Sequence, residues 1–152
     1  MKPGDHLPEV LGVDQNGNTV TTAQFAGAPF ILYFYPKDNT PGCTAEACSL
    51  RDAGAELAAL GYRVVGVSSD SEASHRRFIE KNSLPFTLIS DPDHTLQEAM
   101  GVWGEKTMAG RKYMGTLRTT FLIGPDGTIT RIFTPKEIKT KIHAQQILDV
   151  IK

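Results

Sequence analysis

The chain has little cysteine and no excess of charge of either sign. Only 2 of its 152 residues are cysteines, which excludes a disulfide-rich scaffold. Its 16 basic and 17 acidic residues give a formal net charge of −1. The composition therefore offers no electrostatic case for binding nucleic acid or an anionic membrane surface, and we expect neither as a partner.

Long apolar runs are also missing. The longest, around residues 30–35, is far too short to span a bilayer, and the first residues show no apolar core of a signal peptide. We therefore expect a cytoplasmic protein. In the cytoplasm a close cysteine pair is more often catalytic or metal-binding than structural. The length is sufficient for one domain with a real core, so we expect residues 1–152 to form a single domain.

The two cysteines lie close together in the segment YPKDNTPGCTAEAC, residues 35–48. This segment follows an apolar stretch typical of a buried strand and leads into apolar residues at helical spacing. Cys43 thus lies at the predicted start of a helix, where free backbone N–H groups and the helix dipole favour an anion. That position favours the thiolate, which is the reactive form of cysteine. Cys48 is close enough along the helix to capture a product formed on Cys43.

Strand-like and helix-like segments alternate along the chain. The predicted strands are residues 9–13, 19–21, 30–35, 63–67, 86–89, 119–123 and 128–133. The predicted helices are residues 43–60, 72–81 and 94–100, with a last helix marked by Ile138, Ile142, Ile147 and Ile151. Hairpin turns are predicted at residues 16–17 and 124–127, and the glycine-rich residues 101–115 are predicted to be irregular.

This order of elements predicts the fold class. Strand–helix–strand units imply parallel strands covered by helices, while the late hairpin adds antiparallel strands. The expected architecture is an α/β, thioredoxin-like fold with a central mixed β-sheet flanked by helices. Cys43 would lie at the first junction of strand and helix, at the sheet edge where active residues gather.

Four motifs, in order along the chain, resemble the peroxiredoxins. Pro36, Thr40 and Cys43 fit the Pro-x-x-x-Thr-x-x-Cys signature of that family. The fuller run around them resembles the bacterioferritin-comigratory, or Q-type, subfamily. GVWGEK at 101–106, RKYMG at 111–115 and RTTFLIGPDG at 118–127 are similar to that subfamily as well. The resemblance covers nearly the whole chain and implies the peroxiredoxin type of thioredoxin-like fold.

The resemblance implies a role for each matching residue. Cys43 would be the peroxidatic cysteine, and Cys48, in the Cys-x-x-x-x-Cys spacing, the resolving cysteine. Thr40 and Arg118 match the residues that hold the peroxide and the thiolate. Because threonine is also suited to capping a helix, Thr40 has a second, purely structural interpretation.

Two further positions match residues that shape the pocket. Pro36 matches a proline that shields it, and proline adds no N–H to compete there. Glu46 matches an acidic residue that steadies the arginine, although a carboxylate is favourable in the first turn of a helix in any case. The histidines are scattered, which indicates separate surface positions without a role: His6, His75, His94 and His143.

The chemistry follows from these side chains. A Cys43 thiolate would attack a hydroperoxide, while Arg118 and the Thr40 hydroxyl donate hydrogen bonds to the peroxide oxygens. The resulting sulfenic acid would condense with Cys48, and thioredoxin or a similar dithiol would reduce the disulfide. We expect no cofactor and no metal, because the chain lacks a Cys-x-x-Cys or His-x-x-x-His set. A monomer or weak dimer is expected.

Two other functions remain open for the same fold. One is a thiol–disulfide oxidoreductase acting on protein disulfides, although that class normally uses Cys-x-x-Cys. The other is a non-enzymatic redox sensor, which would form the disulfide but turn over slowly or not at all with a reductant.

Overall fold

Strands and helices alternate along the computed structural model, which describes residues 1–152. The strands are β1 Val10–Asp14, β2 Thr19–Thr21, β3 Phe30–Phe34, β4 Arg63–Ser68, β5 Thr87–Ser90, β6 Trp103–Met108, β7 Arg111–Thr116, β8 Thr119–Ile123 and β9 Ile129–Phe133. The helices are α1 Pro41–Asp52, α2 Gly54–Ala59, α3 Glu72–Asn82, α4 Thr95–Ala99 and α5 His143–Ile151. None of these helices has the length and apolar character needed to cross a membrane.

Seven of the strands form one sheet in the order β2–β1–β5–β4–β3–β8–β9. The three central strands β3, β4 and β5 are parallel, and the strands on both sides of them are antiparallel. The hairpins β1–β2 and β8–β9 occur where their turn residues predicted them. The predicted thioredoxin-like α/β fold with a mixed central sheet is confirmed.

Helices cover both faces of this sheet, and the side chains of β3 are buried on both faces. Phe30, Leu32 and Phe34 face one core, which includes one residue of α4, and the alternate residues Ile31 and Tyr33 face the other. That second core takes residues from α1, α2, α3 and α5. Because β3, β4 and β5 are parallel, their carboxyl ends meet at one edge of the sheet, and α1 begins there.

The prediction of an irregular segment over residues 101–115 is wrong. Residues there form the antiparallel pair β6–β7, a separate two-stranded sheet. Its turn is made by Ala109 and Gly110, both with positive φ (52° and 77°), as a two-residue hairpin turn requires. Most side chains of the hairpin are exposed on both faces. The alternation of apolar and polar residues that identifies a strand is therefore absent from the sequence.

The helix predicted over residues 43–60 is divided into α1 and α2. The division falls at Ala53, whose φ of −91° and ψ of 8° leave the helical region, and Gly54 follows with its low helix propensity. Apolar residues keep helical spacing across the break, so periodicity alone does not reveal it. Gly61, with φ of 84°, ends the segment as predicted. The last helix begins at His143, later than the isoleucine spacing predicts: Ile142 precedes α5 and is 50% exposed.

Candidate active site

Cys43 lies in the first turn of α1, at the sheet edge where β3 ends. Pro41 is the first residue of the helix, a position where its missing N–H removes no hydrogen bond. The Cys43 thiol is free and only 1% of the residue is exposed. The backbone N–H groups of the first turn have no partner inside the helix, so negative charge on the sulfur is stabilised there.

Arg118 lies against this thiol from the segment between β7 and β8. Its Nη2 donates a hydrogen bond to Cys43 Sγ at 3.2 Å, and its Nη1 donates to Glu46 Oε1 at 2.5 Å. Burial opposes the charge on Arg118, but Glu46 and Cys43 outweigh it and hold the guanidinium pKa above its ordinary value. One guanidinium thus contacts both groups, as its planar fork allows.

Glu46 is wholly buried beneath Arg118, on the same face of α1 as Cys43. Burial raises the pKa of its carboxyl from 4.5 to about 7, although Arg118 opposes that rise. Oε1 accepts the hydrogen bond from Arg118, whereas Oε2 has no hydrogen-bond partner. The carboxyl is therefore close to a balance between its neutral and charged forms near neutral pH.

His143, at the start of α5, lies behind Glu46, with its Nε2 3.8 Å from Glu46 Oε2. Its Nδ1 faces Gln146 Oε1 at 3.0 Å, and that amide is oriented because its Nε2 donates to the Glu137 carbonyl. His143 Nδ1 is therefore the donor, and Nε2 accepts from the Thr120 hydroxyl at 2.8 Å. Burial lowers the pKa of His143, which favours this neutral ring.

Thr40 and Pro36 lie on the β3–α1 loop, residues 35–40. Thr40 is the residue before α1, and its backbone carbonyl accepts from the Thr44 N–H. Its side chain does not cap the helix; its hydroxyl donates to the Lys37 carbonyl at 2.9 Å. The hydroxyl proton is thus engaged, which differs from the expectation that Thr40 donates to a substrate, and its lone pairs are left to accept a hydrogen bond. Pro36 is half-buried.

Cys48 lies on α1 as well, one and a half turns after Cys43. It is free and half-buried, and its Sγ contacts Asn82 Oδ1 of α3 at 3.9 Å. Arg51, also on α1, donates from Nη1 to the Asn82 carbonyl at 2.7 Å. The half of α1 that carries Cys48 is therefore attached to the C-terminal end of α3.

Four candidate residues are not predicted from the sequence: Lys106, Asp38, His75 and His143. Lys106 on β6 donates to the Thr116 carbonyl at 3.0 Å, and its pKa is lowered by burial and by Arg118 while Cys43 opposes the shift. The prediction of surface histidines is wrong for His75 and His143, which are both fully buried. Tertiary packing buries these polar side chains, and no local pattern marks them; Lys106 alone had a signal, in the motif GVWGEK.

A buried thiol held between a helix start and an arginine, on a thioredoxin-like sheet, defines the peroxiredoxin class of protein. Comparison with known proteins gives the same class: residues 3–132 match the AhpC/TSA family. Peroxiredoxin Bcp of Escherichia coli K12 is 44% identical over 152 residues, 100% of this chain and 96% of that protein. Peroxiredoxin Bcp of Bacillus subtilis 168 is 41% identical over 149 residues, 98% of this chain and 94% of that protein.

Solved structures extend the similarity to three dimensions. The bacterioferritin comigratory protein of Xanthomonas campestris, studied for its alkyl peroxide reduction activity, is 34% identical with a TM-score of 0.87, covering 99% of this chain and 97% of that one. Peroxidoxin BcpB of Mycobacterium tuberculosis is 31% identical with a TM-score of 0.85, covering 99% and 96%. The chain belongs to the AhpC/TSA family, and within it to the bacterioferritin-comigratory (Q-type) peroxiredoxins.

The raised pKa of Glu46 predicts a pH-dependent stability. Between the ordinary pKa of 4.5 and the folded value of about 7, the folded protein holds one proton more than the unfolded chain, so stability falls as pH rises. Relative to Glu46→Gln, the wild type should lose up to ~3 kcal/mol of unfolding free energy across that window. Urea denaturation of both proteins at several pH values measures the difference. A difference that is constant with pH would contradict the raised pKa.

Proposed function

We propose that this chain is a thiol-dependent peroxidase that reduces hydrogen peroxide and organic hydroperoxides through Cys43. The observation that carries the proposal is the position of the buried Cys43 thiol. It lies in the first turn of α1 and accepts a hydrogen bond from Arg118 Nη2 at 3.2 Å. The Xanthomonas relative, with its alkyl peroxide reduction activity, supports organic hydroperoxides as substrates.

The first step is a displacement on oxygen. The Cys43 thiolate attacks the terminal oxygen of R–O–O–H, the O–O bond breaks, and RO⁻ leaves and takes up a proton to become ROH. Sulfur is oxidised to Cys43–S–OH, and the peroxide is reduced. Arg118 has further N–H groups beyond those on Cys43 and Glu46, and these stabilise the negative charge that develops on the leaving oxygen.

Thr40 and Pro36 orient the substrate in this proposal. Since the Thr40 hydroxyl donates its hydrogen bond to the Lys37 carbonyl, its oxygen is suited to accept a hydrogen bond from the O–H of the hydroperoxide. Pro36 forms part of the wall and presents no N–H that would compete with the substrate. An acceptor on one side and the donors of Arg118 on the other fix which oxygen faces the thiolate.

The second step closes a disulfide. Cys48 attacks the sulfenic acid, water leaves, and an external dithiol then reduces the Cys43–Cys48 bond by exchange. We propose thioredoxin or a similar dithiol as that reductant. Direct attack of Cys43 on a protein disulfide is disfavoured by its burial, which speaks against the thiol–disulfide oxidoreductase alternative. A redox sensor would form the same disulfide but would turn over slowly, or not at all, with the reductant.

The proposal also covers assembly and compartment. The large exposed apolar side chains lie on several separate elements, among them β1, the β6–β7 hairpin and α5, which supports a monomer or weak dimer. A single domain over residues 1–152 is supported by the main sheet, which takes strands from both halves of the chain. We place the protein in the cytoplasm, where the thiols would be kept reduced.

Single-turnover experiments are predicted to distinguish the roles of the two cysteines. Cys43→Ser should abolish peroxide reduction, because it removes the nucleophile. Cys48→Ser should still consume about one equivalent of peroxide per chain, because Cys43 alone carries the first step. Peroxide consumption without and with a thioredoxin system measures both steps. Near-normal consumption by Cys43→Ser would overturn the proposal, and slow wild-type turnover with every dithiol would favour the sensor.

Disulfide formation requires α1 to open at its start. Both cysteines are helical in the reduced protein, within Pro41–Asp52. Five residues of ideal helix rise ~7.5 Å and turn ~140°, which places the two Cα atoms ~8–9 Å apart on different faces. A disulfide needs about 4.4–6.8 Å between Cα atoms. The bond therefore cannot close while this part of the helix is intact.

Hydrogen exchange tests this opening. Amides of residues 44–50 should lose protection when the protein is oxidised, since the helix that protects them is then unfolded. The amides of α4 are the internal control, because that helix carries neither cysteine and packs in the other core of the sheet. Equal protection of residues 44–50 in the reduced and oxidised proteins, with the disulfide verified by mass, would refute the opening.

A further inference from the structure

Asp38 lies in the middle of the β3–α1 loop, two residues from both Pro36 and Thr40. It is buried, and its carboxylate accepts from three side chains. The Tyr35 hydroxyl donates to Oδ1 at 2.6 Å. The Ser74 hydroxyl and His75 Nδ1, both on α3, lie 2.8 Å from Oδ2.

His75 joins the loop to the sheet through both of its ring nitrogens. Nδ1 faces Asp38 Oδ2 at 2.8 Å, and Nε2 faces the Ile89 carbonyl at 3.0 Å. Both ring nitrogens are therefore engaged by protein oxygens, one on the loop and one on β5. With side-chain exposures of 0% and 1%, His75 and Asp38 form a buried hydrogen-bonded pair.

The backbone of Asp38 is held as well as its side chain. Its N–H donates to Asp70 Oδ2 at 2.8 Å, and the same oxygen accepts from the Ser68 hydroxyl at 2.6 Å. The next residue, Asn39, has φ of 63°, in the left-handed region. The middle of the loop is thus tied to Asp70, just after β4, and to α3, in a conformation that a free loop would not favour.

The same side chains could in principle ligate a cation, because the ligand atoms of Asp38, Asp70 and His75 lie within 4.8 Å of one another. Both nitrogens of His75 and both oxygens of Asp38 already have protein partners, however. The geometry therefore favours a hydrogen-bonded pair whose polar atoms are already satisfied by the protein.

We propose that Asp38 and His75 are positioning residues for the peroxide pocket. By fixing the β3–α1 loop, the pair sets where the Thr40 hydroxyl and Pro36 meet the substrate. Cys43 is held separately, by α1 and Arg118, so loss of the pair impairs the reaction with peroxide more than the reactivity of the thiol itself. This role rests on the proposed function.

Two substitutions of His75 separate positioning from simple packing. The side-chain nitrogen of asparagine overlies Nδ1 of histidine, so His75→Asn keeps a donor to Asp38 and loses the one to Ile89. The nitrogen of glutamine overlies Nε2, so His75→Gln does the opposite. Glutamine is the closer match in volume, and a packing role would therefore favour it. His6→Asn and His6→Gln, at an exposed histidine, are the matched controls.

Two rates are measured on each protein: oxidation of Cys43 by hydrogen peroxide and alkylation of Cys43 by iodoacetamide, which does not need Thr40. His75→Gln should slow oxidation at least ~10-fold and His75→Asn no more than ~3-fold, with alkylation within ~2-fold in both. Equal oxidation rates in the two variants, or a parallel fall in alkylation, would overturn the proposal. If a chelator abolished Cys43 oxidation in the wild type, the proposal would also be overturned, and a cation bound by Asp38, Asp70 and His75 would be favoured.

A third variant covers the case in which His75→Gln does not fold. Ser74→Ala removes one of the three donors to Asp38 from a partly exposed position and should slow oxidation ~3-fold without changing alkylation. An unchanged oxidation rate in Ser74→Ala would contradict the proposal. The wild-type oxidation rate tests the proposed function by itself, so failure of that function is distinguishable from failure of the positioning role.

Discussion

Arg118 donates hydrogen bonds to the Glu46 carboxyl and to the Cys43 thiol, which lie 72 and 75 residues earlier in the chain. A buried charge is costly unless it is paired, and here each partner supports the others. Glu46 fixes one nitrogen of the guanidinium, and the first turn of α1 sets the spacing between Glu46 and Cys43. The other nitrogen is thereby directed at the sulfur. Strand β8, the start of α1 and the loop between β7 and β8 must all be in place before this contact exists.

The helix that orients Cys43 also keeps it apart from Cys48. The start of α1 must be stable enough to hold the thiol against Arg118, yet weak enough to open once the thiol is oxidised. The contact of Cys48 with Asn82 attaches this part of α1 to α3 and has to break in that opening, because the Cys48 sulfur moves to Cys43. The division at Ala53 limits the cost, because α2 need not unfold with α1. Helix stability in this segment is thus a compromise between the two chemical steps.

Local signals in the sequence were sufficient for much of the fold. Buried β3, the turns at residues 16–17 and 124–127, and Cys43 at a helix start follow from apolar spacing and turn residues. The β6–β7 hairpin was missed because its exposed strands carry no apolar alternation. Arg118 and Glu46 were found through their motifs, but their contact joins distant parts of the chain. Asp38, His75 and His143 are polar residues buried only by tertiary packing, which no spacing rule anticipates.

The role of Arg118 is tested most directly by the rate of Cys43 oxidation in a double-mutant cycle with Glu46, measured about one pH unit above the Glu46 pKa. Arg118→Ala should slow oxidation at least ~10-fold, since one lost transition-state donor typically costs ~2.7–4 kcal/mol. Glu46→Gln should slow it less, and should have little further effect once Arg118 is alanine, because Glu46 acts through the arginine. An unchanged rate in Arg118→Ala, or two effects that simply multiply, would contradict this arrangement.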